Sequence, residues 1–392
     1  MAMFLSFWLL SAIITHYYIF SINAKKSFVR PPENVSCPSQ PCLALNDYAQ
    51  EPNQYFLDDS IFLFLPGIHQ LDIQLHLKNV SNVTFLSIDF DEQQDNTARV
   101  FFSPSVNITW TDCDNIKISG LVFILSGHSG ETFFSGLVFQ RTTSYLSQLT
   151  LFGNGTLQST AIFLSDSSQV KITDVQVSGA TSINGSVLYA LNSTIDFLGQ
   201  NDFVNNTATD KGGAIVLCNC ISNFSGNISF INNTACLAGG ALALIGGVHN
   251  ILGNVSFVNN TAKQDNVSQY DQATALEYYI TGRGGAILAE YGSTLTFETT
   301  SNVVFTENTA TYYHGGAIYI SESNLTLQGR ALFERNTACQ HGGAIRADRY
   351  SWIYCNGSIL FQDNTANGSG GAIFLITAPS SLNQRKFSLK EM

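Results

Sequence analysis

From about residue 201 onward, one arrangement of apolar and polar positions recurs six times. Each copy opens with Phe, two variable residues, Asn, Thr and Ala. The paired Phe and Asn positions are Phe203 and Asn206, Phe230 and Asn233, Phe257 and Asn260, Phe305 and Asn308, Phe333 and Asn336, and Phe361 and Asn364. A Gly-Gly-Ala step follows each, beginning at Gly212, Gly239, Gly284, Gly315, Gly342 and Gly370. After each step, apolar residues alternate: Ile215 and Leu217, Leu242 and Leu244, Ile287 and Ala289, Ile318 and Ile320, Ile345 and Ala347, Ile373 and Leu375. A period of two is a strand signal, and this set is expected to face inward. The positions between them, Val216, Ala243, Leu288, Tyr319, Arg346 and Phe374, vary in size and charge. They are assigned to an outer, solvent-facing side. A second short strand is expected before each Phe.

Several short strands in a repeat of under 30 residues suit one coil of a solenoid, and such repeats stack on their neighbours. The expected fold class is therefore all-β, a right-handed parallel β-helix. Equivalent residues of successive coils should then lie about 4.8 Å apart. The Phe positions become an internal aromatic stack. The ladder Asn206, Asn233, Asn260, Asn308, Asn336 and Asn364 becomes a column of amides that donate and accept along the axis. Asn also tolerates left-handed backbone, which suggests that these residues make the bend. The double Gly permits a second bend. The column just before the ladder, Asn205, Asn232, Asn259, Glu307, Arg335 and Asp363, is polar throughout and should face water.

The gap between Phe257 and Phe305 is longer than the others and holds an insertion, mostly residues 263–281, that carries Tyr270, Tyr278 and Tyr279. Residues 61–200 read as looser coils of the same solenoid, with strand-like runs such as Ile61 to Leu65 and Ile116 to Phe123. Residues 25–60 are expected to cap the first coil, with a short helix near Leu43 to Ala49. Residues 201–376 hold the regular repeats, and 377–392 form a polar tail. Residues 1–24 contain a short apolar core and a small-residue site before Lys25, the pattern of a cleaved secretory signal peptide; an uncleaved anchor is the alternative. No later stretch is expected to span a membrane.

Composition bears on compartment and partners. Only 12% of residues are charged and the net charge is -11, so a nucleic-acid partner is not expected. Asn-x-Ser/Thr triplets at Asn34, Asn79, Asn82, Asn107, Asn154, Asn192, Asn227, Asn254, Asn266, Asn324 and Asn356 point to a secreted glycoprotein. Eight cysteines agree with an oxidising compartment. Cys37 and Cys42 suit a small loop, Cys339 and Cys355 lie in one repeat, and Cys236 could reach Cys218 or Cys220. Cys113 reads as a buried free thiol.

The paired Phe-x-x-Asn and Gly-Gly-Ala-Ile motifs from Phe203 to Leu375 resemble the polymorphic outer-membrane protein repeats of certain intracellular bacteria. That resemblance implies a right-handed β-helix in an adhesin. This chain departs from it in lacking a C-terminal membrane-barrel pattern. The chain as a whole is similar to eukaryotic extracellular proteins described as pectin-lyase-like or right-handed β-helix repeat proteins, which mostly have no assigned activity.

Candidate chemistry is sparse. A polysaccharide lyase or hydrolase needs grouped carboxylates, and the repeats offer only Glu290 and Asp348 in one outward column, with Arg346 and Arg349 beside the latter. Before the Gly-Gly steps, Arg283, His314 and His341 fall on successive coils and could bind a metal or an acidic glycan; unliganded turn residues are the alternative. The acidic run Asp89, Asp91, Glu92 and Asp95 reads as a solvated loop. No metal or cofactor is expected. The leading expectation is a non-catalytic extracellular adhesive or structural surface whose partner is an extracellular protein or glycan, with Tyr270, Tyr278 and Tyr279 as recognition residues. A polysaccharide lyase or hydrolase and a non-cleaving glycan-binding module are the alternatives.

Overall fold

The computed structural model describes residues 24–32, 37–88, 97–126, 134–153, 160–263 and 282–376. Its strands run parallel and stack as a β-solenoid of about ten turns. A regular coil contains four pieces, as in Ile318–Ser321, Asn324–Leu327, Arg330–Glu334 and Thr337–Ala338. The first three join a continuous wrapped sheet. The two-residue pieces form a second sheet of seven strands, in which Thr and Ala pair with Thr and Ala from coil to coil.

Register follows the repeat. Phe203, Phe230, Phe257, Phe305, Phe333 and Phe361 are direct partners in successive coils. Their ring centroids lie 4.7 to 5.1 Å apart, and from Phe230 to Phe333 the rings are within 3° of parallel. The longer gap after Phe257 leaves that register intact, because Phe257 pairs with Phe305 directly.

The asparagine column is bonded throughout, and all of it but the half-buried last member, Asn364, is buried. The Asn260 amide oxygen accepts the Asn233 backbone N–H and the Asn233 Nδ2–H, both at 3.0 Å. The Asn260 Nδ2 donates to Asn308 Oδ1 at 3.0 Å and to the Phe230 carbonyl at 2.9 Å. Asn233, Asn308 and Asn336 repeat this scheme. All the hydrogen-bonding capacity of each amide is thus spent inside the core, where an unmade bond is costly. The bend itself belongs to the preceding residue. Asn205, Asn232, Asn259, Glu307, Arg335 and Asp363 all have φ between 50° and 58°, and all six are exposed. The ladder Asn holds the turn from inside while its neighbour takes the left-handed angle, which corrects the assignment of the bend to the ladder residue. Within the exposed column opposite charges meet: Arg335 Nε donates to Glu307 Oε1 at 3.0 Å.

At the amino-terminal end, Lys25–Val29 pairs with Ser60–Phe64 and with Cys42–Leu43. A helix, Leu45–Gln50, lies nearby and buries Leu45, Tyr48 and Ala49. Tyr48 and Phe56 pack on Phe62, which covers the aromatic core of the first coil. Among the described residues no helix is long and apolar enough to cross a membrane.

Of the cysteine pairings expected, Cys37 and Cys42 form a disulfide and the others do not. Cys339 and Cys355 are unbridged thiols, and neither Cys218 nor Cys220 is bridged to Cys236. The reason is the shape of the coil. Cys355 points into the core from Trp352–Cys355, whereas Cys339 follows the short strand Thr337–Ala338 on a different side. Cys218 and Cys220 lie in Ile215–Phe224, while Cys236 follows Thr234–Ala235. Nearness in sequence within a repeat does not bring two Cβ atoms together. Cys113 is a buried thiol, and burial raises its pKa.

Candidate functional site

The outer face of the strand after each Gly-Gly is covered, contrary to its assignment as a solvent-facing side. Val216, Ala243, Leu288 and Tyr319 are at most 1% exposed and cluster with Ala238 outside the main core. The cover is the segment just before each Gly-Gly, folded back over the strand that follows. Glycine makes this possible. Gly212 has φ of 61°, and a Cβ there would lie 2.2 Å from the Ile215 carbonyl oxygen and 2.6 Å from Val216 Cγ2. Its neighbour Gly213 faces the next coil, where a Cβ would meet the Gly240 carbonyl at 2.0 Å. One glycine supplies a left-handed angle and the other a close backbone approach.

In the later coils this covered face becomes polar. Arg283 Nη1 donates to Tyr319 Oη at 2.8 Å, Tyr319 donates to Asp348 Oδ2 at 3.0 Å, and Arg346 Nε donates to Asp348 Oδ1 at 2.6 Å. The Arg283 guanidinium also sits 4.8 Å above the Tyr319 ring, and Arg346 sits 4.4 Å from the Phe374 ring. His314 and His341 stack with centroids 5.2 Å apart, and His341 stacks on Phe374 at 4.7 Å. Glu290 pairs with Lys211 at 3.6 Å. Burial holds Arg283 below its usual pKa and drives Tyr319 up. His314 is pushed down to about 4, first by burial and then by Arg346.

Arg283, His314 and His341 are therefore brought together, as their spacing suggested. They are packed against aromatic rings, and the backbone N–H of Ser369 donates to His341 Nδ1 at 2.9 Å. Among the described residues no group of three or more His, Cys, Asp and Glu side chains is placed to hold a metal ion. The sequence reading missed Tyr319, Arg346 and Asp348 as members of this cluster. The available signal was the run Tyr319, Arg346, Phe374 in a column that is small or aliphatic in earlier coils.

A shallow open groove of about 350 Å³ runs across another face. Gln200, Asp202, Asn227, Ser229, Asn254 and Ser256 line it. Two of these, Asn227 and Asn254, head glycosylation triplets, and Asn254 Nδ2 donates to Asn227 Oδ1 at 2.9 Å. Of the other triplet residues, Asn79, Asn82, Asn192, Asn324 and Asn356 are exposed and Asn107 is half-buried. Asn34, Asn154, Asn266, Tyr270, Tyr278, Tyr279, the acidic run from Asp89 to Asp95, residues 1–23 and residues from 377 onward lie outside the described residues.

With parallel coils, a Phe stack and an Asn ladder in place, the comparison with known families is decisive for the repeat. Four segments match the Chlamydia polymorphic membrane protein repeat: residues 202–217, 254–290, 302–321 and 358–375. The repeat is similar to that of the Chlamydia proteins. The copies at Phe230 and Phe333 keep the same register, though they fall outside the matched segments. No curated protein and no solved structure matches the chain significantly.

Proposed function

We propose that this chain is a secreted, non-catalytic β-solenoid glycoprotein that presents an adhesive or structural surface outside the cell. The supporting observation is the state of its charged cluster. The Asp348 carboxylate is bonded to Tyr319 and Arg346, and Glu290 is paired with Lys211. General acid–base chemistry needs a carboxylate or base within reach of a substrate proton, and these carboxylates are turned to partners within the fold. The resemblance to polymorphic membrane protein repeats favours a surface role, and the exposed triplets and the leader favour export.

The full chain, expressed in eukaryotic cells, is expected to appear in the medium, to shift in mass on removal of N-linked glycans and to adhere to cells or extracellular matrix. A panel of uronate polysaccharides with Ca²⁺ should yield neither unsaturated products nor new reducing ends. Their appearance would replace this reading with a lyase or a hydrolase.

A further inference from the structure

At the corner that follows the covered strand, the backbone is left-handed in six successive coils. The residues there are Asn192, Asn219, Gly246, Tyr291, Glu322 and Arg349, with φ between 43° and 69°. Pairing aligns them: Leu191 pairs with Cys218, Cys218 with Ile245, Ile245 with Glu290, and Ser321 with Asp348. The first three are residue types that tolerate this conformation, whereas Tyr, Glu and Arg do so poorly. The next residue, Tyr350, is also left-handed at φ 54° and stands where Gly292 stands two coils earlier. Left-handed Glu and Arg are nonetheless routine at the exposed ladder bends, as at Glu307 and Arg335, so the unusual members here are Tyr291 and Tyr350. Residues of this kind are kept where something other than backbone preference favours them.

Packing within the fold does not supply that return. Tyr291 is 66% exposed and Tyr350 77%. Arg349 and Glu322 form only a loose, exposed pair at 3.7 Å. Two more aromatic side chains stand beside them, because Trp352–Cys355 alternates exposed and buried positions and turns Trp352 and Tyr354 outward. Asn324 and Thr326 lie next to these in register on the preceding coil.

We propose that this corner, centred on Tyr350, Trp352 and Tyr354, binds a neutral polysaccharide. The claim rests on the surface role proposed above and names its partner. The C–H faces of sugar rings pack on exposed aromatic rings, and Trp352 and Tyr354 lie about 6.6 Å apart on one rigid strand. Sugar hydroxyls need planar donors and acceptors close by, which Arg349, Glu322 and Asn324 provide. One cation paired with one anion gives the patch no net charge, which selects a neutral chain over a polyanion.

The test uses the full chain carrying Thr326→Ala, which abolishes the triplet headed by Asn324 beside Trp352 while leaving its amide intact. Retention is measured on cellulose, mannan, xylan and a β-glucan, with polygalacturonate and heparin as polyanionic controls. Retention on at least one neutral polymer is expected. Trp352→Ala should weaken it at least about tenfold, and Phe152→Ala, a remote exposed aromatic, should leave it unchanged. Tyr350→Asn gives a readout separate from folding: the thermal midpoint holds or rises as strain is relieved, while binding falls. Retention on polyanions alone, no retention at all, or equal binding by the Trp352 and Tyr350 variants would overturn the proposal. Cell adhesion that survives in those variants would remove the saccharide assignment and leave the adhesive role standing. Loss of adhesion by the unmodified chain would remove that role instead.

Discussion

At the residue scale, the ladder asparagines carry the most consequence per side chain. Asn260 makes four hydrogen bonds with no access to water, and they tie three successive coils together. Replacing it with Ala leaves the Asn233 backbone N–H and one Asn233 Nδ2–H without their acceptor. It also takes a donor from the Phe230 carbonyl and from Asn308 Oδ1, which keeps only the backbone N–H of residue 260. A buried group left unpaired costs roughly 1–3 kcal/mol. Asn260→Ala should therefore destabilise the fold by about 3 kcal/mol or more, measured as a fall in the urea midpoint. Asn259→Ala, one position away and exposed, is the control, and should lose far less. The identity of this column was plain in the sequence. Which of two adjacent residues bends was not, because Asn is acceptable in either role. Only the columns read together, with Glu307, Arg335 and Asp363 beside an invariant amide, separate an outer bend from an inner bond.

At the scale of the element, the Gly-Gly corner decides what covers each strand. A Cβ on Gly285 would lie 2.1 Å from the Gly316 carbonyl oxygen and 2.6 Å from the backbone of Thr309. Backbone cannot yield as a flexible side chain can, so the coils must part. Gly285→Ala should lower stability by upward of about 3 kcal/mol, beyond ordinary overpacking. Gly292→Ala, where a Cβ meets nothing within 4 Å, should cost only its left-handed backbone penalty. Comparison of their thermal midpoints checks the difference. The same corner explains why the outer column was misjudged. A strand's period of two shows that its faces differ, but not whether a turn from the same chain will lie over the second face. The variety of Val216, Ala243, Leu288, Tyr319 and Arg346 looked like freedom in solvent. It is a second, smaller interior whose polarity changes along the axis.

For the whole molecule, buried histidines set the response to acid. His249 is fully buried, bonded to Ser222 and to the Gly246 carbonyl, and burial pushes its pKa down to about 4. His314 is likewise near 4, and burial also lowers His69. The folded chain thus favours neutral imidazole, while the unfolded chain takes up protons below about pH 6.5. Stability is complete above that pH, falls as pH drops toward 4, and levels off below it. A shift of this size corresponds to about 3 kcal/mol for His249 alone. The thermal midpoint should fall steeply between pH 7 and pH 4.5, and His249→Gln should flatten that slope. An identical slope in the variant would place the acid lability elsewhere.

The parallel coil, its register across a long insertion, the Phe stack and the Asn ladder were all legible in the sequence. Each follows from like residues recurring at a coil's length, and stacking converts recurrence directly into contact. Three things were settled only by the folded chain: the covering of the outer face, the separation of Cys339 from Cys355, and the exposure of strained Tyr350 beside Trp352. These depend on where a turn lies in space after it leaves the strand. That path is set by backbone angles and close packing, and a turn has no periodicity from which to read it.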